Sequence, residues 1–263
     1  MIDWLQVLLL SLIQGVTEFL PVSSSAHLIL TTHLLGWTDQ GLLFDIGVHA
    51  GTLLAVVFYF RSTLWRLSQQ LLPGANEARS ELVALVIATL PVVCAGALLK
   101  NIIALEARDL SVIAAATLFF GLLLGWADIQ SRHQVRSNET VTYRDALLIG
   151  LAQIFALIPG ASRSGVTITA ALFLGYNPRA ATRFSFLLSI PVILGATLMM
   201  LTSIGDSSFF HAVSPLVVAF AVSGMVAYAT IGLFMQMVEK MGLMPFVIYR
   251  LLLGGLLLLW AIP

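Results

Sequence analysis

The sequence predicts an all-α polytopic membrane protein: six transmembrane helices plus two re-entrant helix–loop–helix hairpins, arranged as an inverted-topology repeat. Three observations carry that prediction. The chain is 59% hydrophobic and only 10% charged, against about 25% charged for an ordinary soluble domain. Six stretches are long and apolar enough to cross a bilayer. Two further apolar stretches are each interrupted by a short polar string.

The elements follow in chain order. Leu5–Leu35 is apolar but broken by Pro21 and a serine run. Gly41–Phe60, Leu82–Leu99 and Leu110–Ala127 are clean spans. Each approaches or exceeds the roughly 20 residues needed to cross hydrocarbon. A polar stretch from about Asp128 to Arg144 reads as a loop, the longest in the chain. Ala146–Leu174 is apolar again and broken by Pro159-Gly160. Phe184–Thr202, Ala212–Met237 and Met244–Ile262 complete the six spans. In each broken stretch roughly 15 residues precede the break and roughly 12 follow it, both short of a full crossing. A helix that enters, turns and leaves on the same side fits those lengths, because irregular backbone at membrane depth is tolerated only inside protein or beside a water-filled cavity.

The two broken stretches echo one another. Leu12-Ile-Gln14 answers Leu151-Ala-Gln153, Pro21 with Ser24 answers Pro159 with Ser162, and Leu34-Leu-Gly36 answers Phe173-Leu-Gly175. One repeat then covers about 1–127 and the other about 143–263 of a single membrane domain. Each holds one hairpin and three spans, and an odd number of spans inverts the second copy. Basic residues orient the whole. Arg61, Arg66, Arg79, Arg132, Arg136, Arg144, Arg179, Arg183 and Lys240 fall on one side, Lys100 and Arg108 on the other. The rich side is expected to be cytoplasmic, with both termini outside and the two hairpin tips meeting near the midplane. The stretch from Met1 to Ile13 lacks the basic n-region of a cleavable signal peptide. The formal net charge is zero and no basic patch suggests nucleic acid. Cys94 is the single cysteine, which excludes an intrachain disulfide and leaves no basis for a cysteine metal site.

The polar strings carry the chemistry. The first runs from Gln14 through Glu18, Pro21, Ser23, Ser24 and Ser25 to His27; the second from Pro159-Gly160 through Ser162, Arg163, Ser164 and Gly165 to Thr167. Ionisable groups at membrane depth are costly and mark functional sites. Gln14 and Glu18 share a helix face, and their side-chain oxygens suit a hard cation, Mg²⁺ or Ca²⁺. The serine run can start a helix whose N–H groups favour an anion. His27 lies within reach of Ser24, the pattern of an activated nucleophile. In the second string, Ser162, Ser164 and Thr167 offer hydroxyls, Gly160 lets backbone N–H groups approach, and Arg163 presents a planar fork suited to phosphate oxygens. Ordinary helix packing accounts for small residues and hydroxyls taken singly. The combination of acid, hydroxyl, imidazole and arginine on two matched breaks points to phosphate chemistry.

On these residues the chain resembles the undecaprenyl-diphosphate phosphatase family, also called the bacitracin-resistance family. The first motif, (Glu/Gln)-x-x-x-Glu followed by Phe-Leu-Pro-Val-Ser-Ser-x-x-His, spans Gln14 to His27. The second, Pro-Gly-x-Ser-Arg-Ser-Gly-x-Thr, spans Pro159 to Thr167. Phe184-Ser-Phe-Leu-Leu-Ser-Ile-Pro191 and Pro245-Phe-Val-Ile-Tyr-Arg250 are lesser echoes. The resemblance implies a hydrolase of the bacterial cytoplasmic (inner) membrane, with its site opening to the outer face. Its partners would be undecaprenyl diphosphate and membrane lipid, and its product the carrier lipid for peptidoglycan and other wall polymers. It implies catalytic roles for Glu18, Ser24, His27 and Arg163. Diphosphate binding falls to Ser23, Gly160, Ser162, Arg163, Ser164 and Thr167, and a divalent cation, Mg²⁺ or Ca²⁺, to Gln14 and Glu18. Glutamate is common in the family where Gln14 stands, and glycine where Ala26 stands, so Glu18 carries the motif's formal charge here. A homodimer is compatible with the sequence. The type-2 phosphatidic-acid phosphatase pattern is absent, since no Lys-x6-Arg-Pro occurs. A transporter or flippase of a lipid phosphate or other anion remains the alternative, because inverted repeats with broken helices also build transporters.

Overall fold

The computed structural model describes residues 4–37, 41–69, 79–106, 109–132, 140–201 and 213–261, without the side chains of 79–80, 100–106 and 213. Arg108 and Arg136 lie outside the described residues. Eleven α-helices form, with no strand among the described residues: α1 (Trp4–Thr17), α2 (Ser24–Leu34), α3 (Leu42–Tyr59), α4 (Arg61–Gln69), α5 (Arg79–Glu106), α6 (Leu110–Ser131), α7 (Tyr143–Gln153), α8 (Arg163–Phe173), α9 (Pro178–Leu201), α10 (Val213–Met241) and α11 (Met244–Ala261). One 3₁₀ turn, Ile154–Leu157, follows α7. Six helices are long and apolar enough to cross a membrane: α3, α5, α6, α9, α10 and α11. They are the six spans expected from sequence.

Several boundaries differ from expectation. The short helix α4 forms where the sequence reads as a connection. Helix α6 continues to Ser131 and α7 starts at Tyr143, so the polar stretch is shorter than read. Polar residues extend helices readily where the next turn has no breaker, and Thr142 supplies a real start: its hydroxyl caps α7 by accepting from the Asp145 amide. Helix α9 starts the same way, with Asn177 Oδ1 accepting from the Ala180 amide at 2.7 Å and Pro178 in the first helical position. Asp109 caps α6 through the Ser111 and Val112 amides. Those two donors hold its carboxyl below its ordinary 3.8.

The second arms of the two broken stretches share their backbone course. Helix α2 begins at Ser24 and ends at Leu34; α8 begins at Arg163 and ends at Phe173, each boundary 139 positions later. Gly36 and Gly175 follow with φ of 62° and 89°, a left-handed turn open to glycine without a Cβ penalty. Matching amide bonds close both turns, Trp37 N to Thr32 O at 2.8 Å and Tyr176 N to Ala171 O at 3.1 Å. Ser23 and Ser162 are the positions before α2 and α8, and they are the only non-glycine residues at positive φ among those described. The register therefore pairs Ser23 with Ser162, one residue earlier than the sequence match of Ser24 with Ser162.

Packing follows small residues. A Cβ on Gly51 would lie 2.2 Å from Phe220 O and one on Gly15 2.8 Å from Ser223 O, so α1, α3 and α10 meet at backbone distance. Ion pairs gather five helix ends at one side. Arg183 pairs with Glu81 of α5, and Arg179 Nε lies 2.9 Å from Glu239 of α10. Buried Asp128 at the end of α6 accepts from Arg132 at 2.9 Å and from the Leu243 amide, just before α11, at 3.1 Å. On this side the Tyr176 hydroxyl donates to Asp145 Oδ2 at 2.7 Å, bringing together the two far ends of the α7–α8 pair.

Candidate active site

The two breaks touch. Ser164 Oγ donates to Leu20 O at 2.9 Å. Arg250 of α11, fully buried, donates to Pro21 O at 3.4 Å, to Gly160 O at 2.9 Å, to Ala161 O at 3.0 Å and to Thr117 O at 3.3 Å. A guanidinium with five donors can gather three carbonyls of the breaks, Pro21, Gly160 and Ala161, together with one of helix α6. Arg250 thus pins one tip to the other. Its neighbourhood excludes larger residues: a Cβ on Gly165 would lie 2.7 Å from Arg250 Nη1, and one on Gly160 2.4 Å from Ile113 O.

Glu18 is the hub of the contact. Its Oε2 accepts from Gln14 Nε2 at 2.8 Å and from Ser24 Oγ at 2.9 Å. Its Oε1 accepts from Arg163 Nη2 at 3.1 Å. The side chains of Glu18 and Arg163 are only 8% and 13% exposed, so the pair is desolvated and each needs the other. Arg163 also donates to Ser185 O at 3.4 Å, and its guanidinium lies 5.8 Å from the Phe19 ring centroid. Ser24 and Arg163 are the first residues of α2 and α8. Two helix N-termini, a serine hydroxyl, a carboxylate and an arginine therefore converge, an arrangement suited to an anion.

The remaining predicted residues are placed as follows. Gln14 is fully buried, and its Oε1 has no hydrogen-bond partner among the described residues. His27 lies at the first tip but does not bond Ser24: Nδ1 is 2.7 Å from Ser23 O, and Nε2 is 2.6 Å from the Tyr249 hydroxyl. Ser23 Oγ pairs with Ser25 Oγ at 3.3 Å, and Ser162 Oγ with Ser164 Oγ at 3.2 Å. Ser162 Oγ also accepts from the Gly165 amide at 3.2 Å, capping α8. Thr167 Oγ1 bonds Arg163 O at 2.9 Å and Ser185 Oγ at 2.7 Å. The hydroxyls of the second string thus fasten α8 in place, and Gly160 serves the close approach to α6. Sequence reasoning missed three participants: Ser185, Tyr249 and Arg250. An arginine in the middle of an apolar 18-residue helix was the available signal for the last. Ser185 and Tyr249 lie within the lesser family echoes, which gave them no role.

A cavity of about 600 Å³ opens onto the first tip, with Gln14 and Ser24 in its wall. Leu28, Ile29, Phe44 and Met200 make it apolar, while Asp45 and His49 lie on its α3 side. Its mixed lining suits a molecule with an anionic head and a hydrocarbon body.

Comparison with known proteins places the chain in a family. The family model described as bacitracin resistance protein BacA matches residues 7–256. A relative from Hahella chejuensis (strain KCTC 2396), named undecaprenyl-diphosphatase, is 48% identical over 262 residues, covering 98% of each chain. On a match across nearly its full length, this chain belongs to the bacitracin resistance protein BacA family.

Proposed function

We propose that the chain is an integral membrane phosphatase that hydrolyses undecaprenyl diphosphate to undecaprenyl phosphate and inorganic phosphate. Through that reaction it recycles the lipid carrier of cell-wall synthesis and confers bacitracin resistance. One observation carries the chemistry: a single carboxylate, Glu18, holds a serine hydroxyl on one oxygen and an arginine on the other, at the meeting point of two helix N-termini.

The diphosphate enters the cavity beside Ser24, and its polyprenyl body lies along the apolar wall. Its oxygens draw the Arg163 guanidinium off Glu18 Oε1, which leaves the carboxylate without its cation partner. Glu18 takes the Ser24 proton as Oγ attacks the terminal phosphorus. The bond from that phosphorus to the bridging oxygen breaks, and undecaprenyl phosphate leaves. Water then releases inorganic phosphate from Ser24. Arg163 and the α2 and α8 amides stabilise charge on the transferring oxygens. Gln14 Oε1, a buried acceptor without a donor among the described residues, lies beside Glu18. Gln14 Oε1 and the Glu18 carboxylate would hold a hard cation such as Mg²⁺ or Ca²⁺. Such a cation would offset the charge of the diphosphate.

We assign the α1–α2 and α7–α8 pairs as re-entrant hairpins of an inverted repeat. The shared 139-residue spacing of the α2 and α8 boundaries supports this. The ends marked by Arg132, Arg179, Arg183 and Lys240 are assigned to the cytoplasm by their positive charge, which opens the cavity outward.

The test is phosphate release from a polyprenyl diphosphate by purified protein, with Ser24→Ala alongside. Release is expected from wild type, together with a trappable phosphoserine. Near-normal turnover by Ser24→Ala transfers the attack to water. No release with any divalent cation, alongside flux of the lipid phosphate in liposomes, makes the protein a transporter instead.

A further inference from the structure

We propose that His27 and Tyr249 form a strut that sets the pose of Ser24, with His27 a positioning residue that takes no proton in the reaction. The proposal rests on the phosphatase reading above and deepens it.

The argument starts from backbone strain. Ser23 has φ 71° and ψ 94°, a conformation that persists only where the surroundings enforce it. Ser24 is the next residue, so the turn at Ser23 aims its hydroxyl. At the second break the equivalent residue, Ser162, is enforced by its own side chain, which caps the Gly165 amide. Ser23 makes no such cap. Its carbonyl is held instead by the His27 ring at 2.7 Å, beside the backbone bond from the His27 amide at 3.3 Å. The residue equivalent to His27 at the second break is Val166, which contributes only its amide, at 2.9 Å from Ser162 O. An imidazole therefore replaces a cap.

The hydrogen bonds also fix the tautomer. A carbonyl only accepts, so Nδ1 carries the proton. In the neutral ring Nε2 then accepts from the Tyr249 hydroxyl at 2.6 Å, and the two rings lie parallel within 9° at 5.6 Å. In the charged ring both N–H groups are spent on the same two partners. Either way no nitrogen is left for Ser24, whose hydroxyl is on Glu18. Tyr249 adjoins Arg250, which holds Pro21 of the same tip. Helix α11 thus grips the first tip at two points. It needs to, because α2 buries a single side chain, Ala26, while the cavity occupies its other flank.

His27→Asn, His27→Ala and Tyr249→Phe separate the roles. An asparagine amide N–H takes the place of Nδ1–H toward Ser23 O but cannot accept a proton. His27→Asn is expected to keep kcat within about fivefold with an unchanged pH profile, while His27→Ala loses about 100-fold in kcat at similar KM. Tyr249→Phe is expected to lower kcat about fivefold, and by much less in the His27→Asn background. Histidine ¹⁵N NMR in lipid bilayers gives a readout independent of turnover: Nδ1 protonated, with an Nε2 shift that responds to Tyr249→Phe. The proposal is overturned if His27→Asn is as inactive as His27→Ala, if Tyr249→Phe leaves kcat unchanged, or if NMR finds the proton on Nε2 alone. A wild type without phosphate release counts against the phosphatase reading, and the NMR then decides the strut.

Discussion

Helices α2 and α8 start from the same residue conformation, Ser23 at φ 71° and Ser162 at φ 69°, and from there their surroundings diverge. Helix α8 buries eight residues, and its hydroxyls are spent on Leu20, Gly165, Arg163 and Ser185. Helix α2 buries only Ala26 and borders a cavity of about 600 Å³. The comparison teaches a division of labour. The second break is a fixed platform that presents Arg163. The first carries the acid and the candidate nucleophile, and it is open on the side from which a substrate must come. Similar backbones have been given different fastenings, and the first leaves the hydroxyl of the candidate nucleophile beside the cavity.

The widest test of that division is Arg163→Ala, which removes the platform's one charged group. Phosphate release is expected to fall by about 10³-fold, with little recovery in Arg163→Lys, because a point charge cannot span two phosphate oxygens. Retained activity would mean that the two tips do not act together. Arg250→Met comes next. It deprives the three break carbonyls of Pro21, Gly160 and Ala161 of their shared donor, and a loss of about 3 kcal/mol is expected in unfolding of the bilayer-reconstituted protein. If only activity fell and stability held, Arg250 would serve the substrate more than the joint. A smaller and sharper contrast is Ser162→Ala against Ser23→Ala. Both keep the left-handed turn, but only the first deletes a cap, so about 1 kcal/mol is expected for Ser162 and close to none for Ser23. Equal losses would erase the distinction between the tips. The smallest effect lies away from both. The Asp109 carboxyl is held low by the Ser111 and Val112 amides. Its contribution to stability is therefore present above its unfolded pKa and lost as pH falls through the lower folded one. Asp109→Asn should remove that part of the acid limb in thermal melts and leave phosphate release unchanged at neutral pH.

The six spans, the two breaks and the core of the site were legible in the sequence, for a physical reason. A bilayer demands long apolar runs, so every polar residue set within one is conspicuous. Gln14, Glu18, Ser24 and Arg163 stood out on that ground, and the structure brings them together. The 139-position spacing of Gln14 and Gln153 was visible too, and it is the spacing that separates α2 from α8.

Direction and partner choice were not legible. Sequence spacing puts His27 near Ser24, yet its ring turns to Ser23 and Tyr249, and Tyr249 is 222 positions away. The second string reads as a set of phosphate ligands, yet its hydroxyls bond Leu20 and Ser185, neither of which is predictable from local pattern. By itself the sequence determined which residues are too polar for their surroundings and where the helices must break, since burial cost and helix geometry are local. Only the tertiary structure decided which groups satisfy one another, because a buried donor bonds whatever acceptor the packing of distant helices brings to it. Arg250 is the case in point: its four carbonyls come from three separate parts of the chain.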